Sequence, residues 1–248
     1  MTIAVRAVCL GLGIAACCWS ISGLPGFIAT NGLQSLADRI VNSEPYQIES
    51  LLALKPELAA IEQAPFCRGS DVRSAAIIRF RLAQETLLAG QRQQIEDDLN
   101  ALRGSLRSAL ACAPGDSFLW LAMYWVTLNL DGFGDKPLTY LRMSYQQGPR
   151  EGWIALKRNP DALAIFDALP PDLQQAATEE YLGIVRSGFF DPAVNILTGP
   201  GWHVKDKLLA AIATLPLRLR ERLDRQLRAR QFEIDIEGVP PPKPKAFL

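Results

Sequence analysis

Apolar residues recur along most of the chain at spacings of three and four, the period of an amphipathic helix with one buried face. Two such stripes are adjacent in the sequence, at Ala76, Phe80, Ala83 and Leu87 and at Ile95, Leu99, Leu102, Leu106 and Leu110. Charged residues occupy the other faces of both segments. We therefore predict a helical hairpin whose helices cover about residues 71–89 and 91–112 and are joined at Gly90.

The run from Ser117 to Leu130 has a different pattern, because it contains no charged residue and is apolar nearly all round. A helix of this kind is buried among other elements, and it is too short to cross a membrane. A helix from about Pro137 to Gln147 follows, and another begins after Pro170-Pro171 and ends at Gly188. Helix and turn therefore alternate through the middle of the chain.

Proline marks the breaks in the rest of the chain. Residues 150–168 are predicted to form a short helix and a loop around Asn159-Pro160, because proline interrupts the helical hydrogen-bond ladder. From residue 233 the Pro-rich tail should be extended. The fold class that follows is all-α, with antiparallel helix hairpins over residues 31–232 stacked as a short solenoid or compact helical array.

The N-terminal segment differs from the body, since residues 7–29 are mostly apolar and no charged residue occurs from Ala7 to Ala37. This stretch is long enough to cross a bilayer. The short basic start places the N-terminus in the cytoplasm by the positive-inside rule. We therefore assign residues 1–30 to a transmembrane signal-anchor or a signal peptide, with the body in the periplasm and the chain anchored to a bacterial-type inner membrane.

Three fates of this segment remain open. The segment can stay as an uncleaved anchor, or it can be removed as a signal peptide near Ser20-Ile21-Ser22. Ile14-Ala15-Ala16-Cys17 also resembles the lipobox of bacterial lipoproteins, in which the cysteine becomes the acylated first residue. Cys17 is therefore a candidate lipidation site, although it also fits as a small apolar residue in a membrane helix.

Two of the five cysteines, Cys67 and Cys112, lie in the body, before the first hairpin helix and at the end of the second. Antiparallel helices of similar length bring these ends together, so we predict a disulfide, as an oxidising compartment allows. Closing so long a loop stabilises a fold by about 4 kcal/mol in the chain-entropy model. Two buried free thiols are the alternative, and no metal site is expected without clustered histidines.

Charge and motifs argue against several functions. Lys plus Arg and Asp plus Glu both total 26, so no basic excess favours a nucleic-acid partner. His203 is the only histidine, and although Asp206 could pair with it, we interpret it as a capping or surface residue. Glu179 and Glu180 are adjacent and point about 100° apart on a helix, so they cannot flank one glycosidic bond.

No glycine-rich phosphate loop, catalytic triad or metal-spaced cluster occurs in the sequence. We therefore predict a protein that is not an enzyme, with no catalytic residue, cofactor or metal. A glycan-cleaving enzyme remains as a minor alternative. It would require a polar cleft that holds Glu180 or His203 next to a second titratable group.

Pro114 and Pro149 bracket a stretch with Trp120 early in its first helix. Tetratricopeptide repeats have a period of about 34 residues, a tryptophan in the first helix and a proline that closes the second. Residues 114–149 therefore resemble one such unit, although Tyr124 stands where that family usually has glycine. The resemblance implies a right-handed stack of helix pairs whose groove binds a protein or a peptide.

Aromatic and polar side chains are densest in and just after this unit. They are Trp120, Tyr124, Trp125, Tyr140, Arg142, Tyr145 and Trp153. As a binding surface, the rings would supply apolar contact area and Arg142 would bind a carboxylate or a sugar hydroxyl; alternatively, the rings fill space between helices. We predict an adaptor or scaffold that binds another envelope protein, or alternatively an accessory factor in polysaccharide or cell-wall assembly whose rings stack on sugars.

Overall fold

The computed structural model describes residues 2–42, 44–64, 67–90 and 92–241, without the side chains of residues 2–4, 6, 7, 21–31 and 92. The regular structure of these residues is entirely helical, which confirms the all-α class. The α-helices are α1 (Thr2–Val41), α2 (Ile48–Ala53), α3 (Lys55–Glu62), α4 (Gly69–Ala89), α5 (Arg92–Cys112), α6 (Ser117–Asp131), α7 (Asp135–Gln147), α8 (Gly152–Ala164), α9 (Pro171–Arg186), α10 (Phe190–Thr198), α11 (Lys205–Ile212) and α12 (Leu217–Ala229). Two short 3-10 helices cover Phe166–Ala168 and Trp202–Val204.

The chain folds as two compact units rather than as one body. The first unit comprises Met1–Pro114 and Trp125–Gly132, and the second comprises Gly115–Tyr124 and Phe133–Leu248. The division falls inside α6, so this helix contributes residues to both units.

The predicted hairpin is the centre of the first unit, where α4 and α5 are antiparallel neighbours. Gly90 ends α4 with a φ of 73°, a left-handed conformation that glycine adopts without a side-chain clash. The preceding helices pack on α4 through a buried cluster of four leucines, an alanine and an isoleucine. The cluster comprises Leu33, Leu51, Leu58, Ala75, Ile78 and Leu82.

Helix α1 is longer than the predicted segment of residues 1–30, since it continues without a break to Val41. Leu33 and Ala37 near its C-terminal end are buried, and their packing extends the helix into the body. Large apolar side chains in its N-terminal half are exposed, namely Val5, Val8, Leu10, Leu12, Ile14 and Trp19. The side chains of Ile21 and Ser22, in the alternative cleavage site, lie outside the described ones.

Within the described part of the chain, no helix combines the length and the apolar character needed to cross a bilayer.

Cys67 and Cys112 lie at disulfide-bonding distance, with their Cα atoms 5.9 Å apart. The prediction that the hairpin brings these two cysteines together is therefore confirmed. Cys67 lies just before α4 and Cys112 is the last residue of α5. The cysteine pair thus closes the end of the hairpin opposite Gly90.

In the second unit, the predicted loop around Asn159-Pro160 is wrong, because α8 runs through Pro160 from Gly152 to Ala164. A proline costs about 3 kcal/mol or more in a helix interior, so tertiary contacts must offset this cost. The Asn159 side chain is buried and donates a hydrogen bond to the carbonyl of Ala177 in α9 at 2.8 Å. Ala162 and Leu163, in the turn after the proline, are also buried.

Helix α6 is buried along most of its length, as its uncharged sequence predicts. Phe118, Leu119, Ala122 and Tyr124 are among its residues with little or no exposed surface. Asp116 caps the helix, since its Oδ1 atom accepts hydrogen bonds from the backbone N–H groups of Phe118 at 2.9 Å and Leu119 at 3.3 Å.

The C-terminal tail is anchored rather than free along its described part. Residues 232–241 contain no helix or strand, and they include a turn at residues 237–238. Ile234 and Ile236 are nevertheless 9 % and 3 % exposed, because alternate residues of an extended chain point to the same side. The Phe232 ring also contacts that of Trp202, with the centroids 6.3 Å apart. Residues 242–248 lie outside the described residues.

Candidate functional site

The interior of the second unit holds a charged pair, Arg158 of α8 and Glu180 of α9. Their side chains are 0 % and 4 % exposed. The guanidinium donates to Oε1 of Glu180 from Nη2 at 2.5 Å and from Nε at 3.1 Å. It also donates to Oγ of Ser144 at 2.8 Å and to the carbonyl of Gly148 at 3.0 Å. One side chain therefore links α8 to α9 and to the end of α7.

Gly148 lets the chain pass close to this cluster. A Cβ atom at this position would clash with the side chains of Ser117 and Glu151. Ser144 donates a hydrogen bond to the carbonyl of Ser117 at 2.8 Å, which connects the same region to the start of α6. The close approach explains why a residue without a side chain stands at the end of α7.

Tyr145 completes the cluster, since the Arg158 guanidinium lies 4.0 Å from the centroid of its ring. Burial raises the pKa of Glu180, although the neighbouring guanidinium opposes this shift. Burial also raises the pKa of Tyr145 well above its ordinary value, so its phenol stays protonated. The cluster has almost no exposed surface, so it stabilises the packing of three helices and offers no access to a substrate.

Three half-buried rings of the predicted aromatic surface lie in the second unit. The rings of Trp120 and Tyr140 are stacked, with centroids 6.0 Å apart and an interplanar angle of 24°. Trp153 packs on Phe118 with a centroid distance of 5.5 Å. Trp120, Tyr140 and Trp153 are half-buried, so each keeps some surface exposed to solvent.

The other predicted rings lie elsewhere. Tyr124 and Tyr145 are 1 % and 9 % exposed, and burial raises the pKa of Tyr124 to about 12. Trp125 belongs to the first unit, where its ring meets that of Phe80 edge-on at 4.9 Å. Tyr124 and Tyr145 therefore fill space between helices, whereas Trp125 is half-buried.

Arg142 lies on the surface of the second unit and is ion-paired. Its Nε atom donates to Oδ2 of Asp172 at 2.6 Å, and this hydrogen bond lowers the pKa of the Asp172 carboxyl. The two side chains are 37 % and 54 % exposed. A ligand carboxylate would therefore compete with Asp172 for the guanidinium of Arg142.

The side chains considered for catalysis are dispersed. His203 lies 4.0 Å from Asp167, whereas Asp206, its predicted neighbour, is near Lys205. Glu179 is exposed and accepts a hydrogen bond from Gln175 at 2.8 Å. Because Glu180 is buried, the two adjacent carboxyl groups point to different environments.

Cysteine and metal chemistry add little. Cys9, Cys17 and Cys18 are exposed free cysteines on α1, so Cys17 lies on an accessible helix surface. In the described parts of the chain, no group of three or more His, Cys, Asp or Glu side chains could hold a metal ion.

Arg158, which links α8 to α7 and α9, is a residue that sequence reasoning missed. It follows Lys157 and precedes Asn159 in a segment where proline obscured the helical period. Nothing in this local pattern distinguishes a buried arginine from a solvated one, because its partners come from α7 and α9.

Comparison with protein-family models, with curated proteins and with solved structures finds no match to this chain.

Proposed function

We propose that this chain is a helical adaptor, tethered by α1 to the outer face of a bacterial-type inner membrane, that binds another envelope protein through its second unit. It acts by surface recognition rather than by chemistry. One observation carries the proposal. A single continuous helix exposes large apolar side chains in its N-terminal half and packs Leu33 and Ala37 into the body near its C-terminal end.

The exposed half of α1 supports the tether. Its apolar side chains range from 55 % exposed at Val5 to 80 % at Trp19. Leaving apolar surface in water costs about 25 cal/mol per Å², so several large exposed apolar side chains on one helix favour association with lipid or protein. The uncleaved anchor, the cleaved signal peptide and the acylated Cys17 remain alternative forms of the N-terminus.

The cysteines support an oxidising compartment for the body. The two body cysteines, Cys67 and Cys112, lie at bonding distance from each other, whereas those of α1 have no such partner among the described residues. Disulfides persist outside the reducing cytosol. A periplasmic body is consistent with the basic start before the apolar segment.

The half-buried rings of Trp120, Tyr140 and Trp153 are the recognition surface that we favour. Tryptophan, tyrosine and arginine are enriched among the residues that contribute most to protein–protein binding. The stacked pair Trp120 and Tyr140 is already ordered, which reduces the entropy lost on binding. The resemblance of residues 114–149 to a tetratricopeptide unit agrees with a peptide or protein ligand, and it stays a prediction.

A polysaccharide ligand is the second candidate. It requires a row of exposed rings, as sugars stack on aromatic faces. Tyr124 and Tyr145 are buried, so fewer rings remain than this function would need, and we favour the protein partner.

The tether and the compartment are tested by the mass of the intact protein purified from membranes of a bacterial host. Alkylation is performed with and without reductant, and peptide mapping locates the labelled cysteines. We expect the full-length mass and labelling of Cys67 and Cys112 only after reduction. Labelling of both without reductant would place the body in a reducing compartment and overturn the proposal. An acyl adduct would indicate a lipoprotein instead of an uncleaved anchor, and a shortened chain would indicate a cleaved signal peptide.

The recognition surface is tested by chemical crosslinking in intact membranes. Replacing both Trp120 and Tyr140 with Ala should reduce the yield of the main crosslinked product about thirtyfold or more, since one strong contact residue contributes about 2 kcal/mol or more. Phe133→Ala is the matched control, because Phe133 is a surface ring, 52 % exposed, in the same unit. Equal yields from both variants would contradict this surface.

A further inference from the structure

Three arginines form a basic stripe along the exposed side of α12. Arg218, Arg222 and Arg225 are spaced by four and three residues, so their side chains share one helix face. All three are exposed, and they lie opposite Leu223 and Leu227, which are buried. With a rise of about 1.5 Å per residue, the stripe is about 10 Å long.

Ion pairing sets this stripe apart from most described arginines. Nine others have a carboxylate partner, namely Arg39, Arg68, Arg79, Arg81, Arg103, Arg142, Arg158, Arg228 and Arg230. Across the described chain, no carboxylate lies within ion-pair distance of the three stripe arginines. Arg222 lies over the Phe190 ring, 4.9 Å from its centroid, which orders the guanidinium without neutralising it.

The stripe is unfavourable for the helix itself. Like charges three or four residues apart repel each other, and both spacings occur here. Two acidic residues of α12 adjoin the stripe, namely Glu221, which is half-buried, and Asp224, which is buried and pairs with Arg228. A helix face that contacts only water has no need of a single sign of charge, and mixed charges would serve it equally well. Positive charge clustered on one face therefore favours an anionic partner.

We propose that this stripe docks on the anionic headgroups of the membrane to which α1 tethers the chain, an inference that rests on the tether proposed above. Each arginine near an anionic surface raises the ratio of docked to undocked molecules about fivefold, so three arginines raise this ratio about a hundredfold. A partner that diffuses freely must favour the bound state about a millionfold, relative to a 1 M reference, to bind with micromolar affinity. Three arginines are therefore too few to capture a free acidic protein, but they suffice to orient a chain that is already at the surface.

The test is arginine footprinting of the full-length chain on vesicles of phosphatidylcholine, with and without phosphatidylglycerol. Hydroxyphenylglyoxal modifies accessible guanidinium groups, and peptide mass spectrometry gives a rate for each arginine. We expect phosphatidylglycerol to slow modification of Arg218, Arg222 and Arg225 by about tenfold to a hundredfold, and high salt to reverse the effect. The internal controls are three exposed arginines outside α12, namely Arg107, Arg150 and Arg186.

Single substitutions make the test quantitative. Arg218→Gln should reduce the protection of Arg222 and Arg225 about fivefold, since one of three charges is lost. Arg107→Gln should leave their protection unchanged.

Three outcomes would overturn the inference. The first is an equal modification rate of the stripe arginines on both kinds of vesicle, and the second is equal slowing of all six arginines. The third is slowing of the stripe arginines by dissolved polyglutamate but not by phosphatidylglycerol vesicles, which would assign the stripe to an acidic polypeptide. Failure of the tether has a separate signature, because the chain would then not sediment with phosphatidylcholine vesicles.

Discussion

The two units hold their helices together by different interactions. In the first unit, the cysteine pair closes the α4–α5 hairpin, and ion pairs such as Lys55 with Asp98, at 3.0 Å, lie between partly exposed side chains. In the second unit, the interior itself contains a charged pair, Arg158 with Glu180, which joins three helices. The first unit thus has its cross-link at the end of a hairpin, and the second has one in its core.

This difference determines how each unit tolerates substitution. A disulfide stabilises mainly by restricting the unfolded chain, so its loss leaves the folded core unchanged. A buried ion pair stabilises only while both partners are present, because a single buried charge has lost its hydration. The second unit is therefore the more sensitive of the two to a change in one side chain.

The largest expected effect is that of Arg158→Met. This substitution leaves Glu180 buried without its cation, and we expect a loss of about 3–5 kcal/mol in the free energy of unfolding. Hydrogen exchange of the α8 and α9 amides measures it. The double variant Arg158→Met with Glu180→Leu should recover most of the loss, because an apolar pair of similar volume carries no desolvation cost. Equal losses from the single and the double variant would contradict this account.

The first unit should respond through its unfolded state. Replacing Cys67 and Cys112 with Ser should lower the free energy of unfolding by about 4 kcal/mol, as expected for a loop of this length. Denaturant unfolding followed by hydrogen exchange of the α4 and α5 amides measures the change. Wild-type protein in reductant is the matched control and should behave like the variant. If reductant has no effect on the wild-type protein, the two cysteines are not bonded.

The smallest expected effects concern the helix ends of the two units. Gly90 ends α4 at a φ of 73°, whereas Gln231 follows α12 at a φ of 66°. Gly90→Ala should cost about 1 kcal/mol, and Gln231→Gly should stabilise by about 0.5 kcal/mol, because glycine adopts this conformation without a Cβ clash.

Gln226→Gly is the matched control for this prediction, since it makes the same substitution inside α12. There glycine should destabilise by about 1 kcal/mol through lost helix propensity. Thermal unfolding of the three variants measures the effects. If Gln226→Gly and Gln231→Gly change the stability in the same direction, backbone conformation does not decide the effect of glycine at residue 231.

Much of the fold could be predicted from local pattern. The stripe from Ile95 to Leu110 locates α5, and the uncharged run after Ser117 locates a buried helix, because burial of an apolar face sets the period of each. The pairing of Cys67 with Cys112 follows from two helices of equal length. These inferences depend on residues that are near each other in the sequence or at the ends of one hairpin.

The errors have a common cause in contacts between distant elements. Pro160 predicts a loop, yet α8 continues through it because Asn159 bonds to α9. Tyr124 and Tyr145 are included in the predicted aromatic surface, yet both are buried. Helical spacing alone cannot tell which side of a helix meets another helix when nearly every side is apolar.

By itself, the sequence determined the helical class, the positions of α4 to α7 and α9, and the cysteine pair, since each depends on the period of apolar residues along one segment or one hairpin. Only the tertiary structure decided that the chain forms two units, that Arg158 is buried, and that Arg218, Arg222 and Arg225 have no carboxylate partner among the described residues. These features depend on which side chains from distant helices supply carbonyl and carboxylate partners. Local sequence carries no record of such partners, because hydrogen bonds and ion pairs form between whichever groups the packing of the helices brings together.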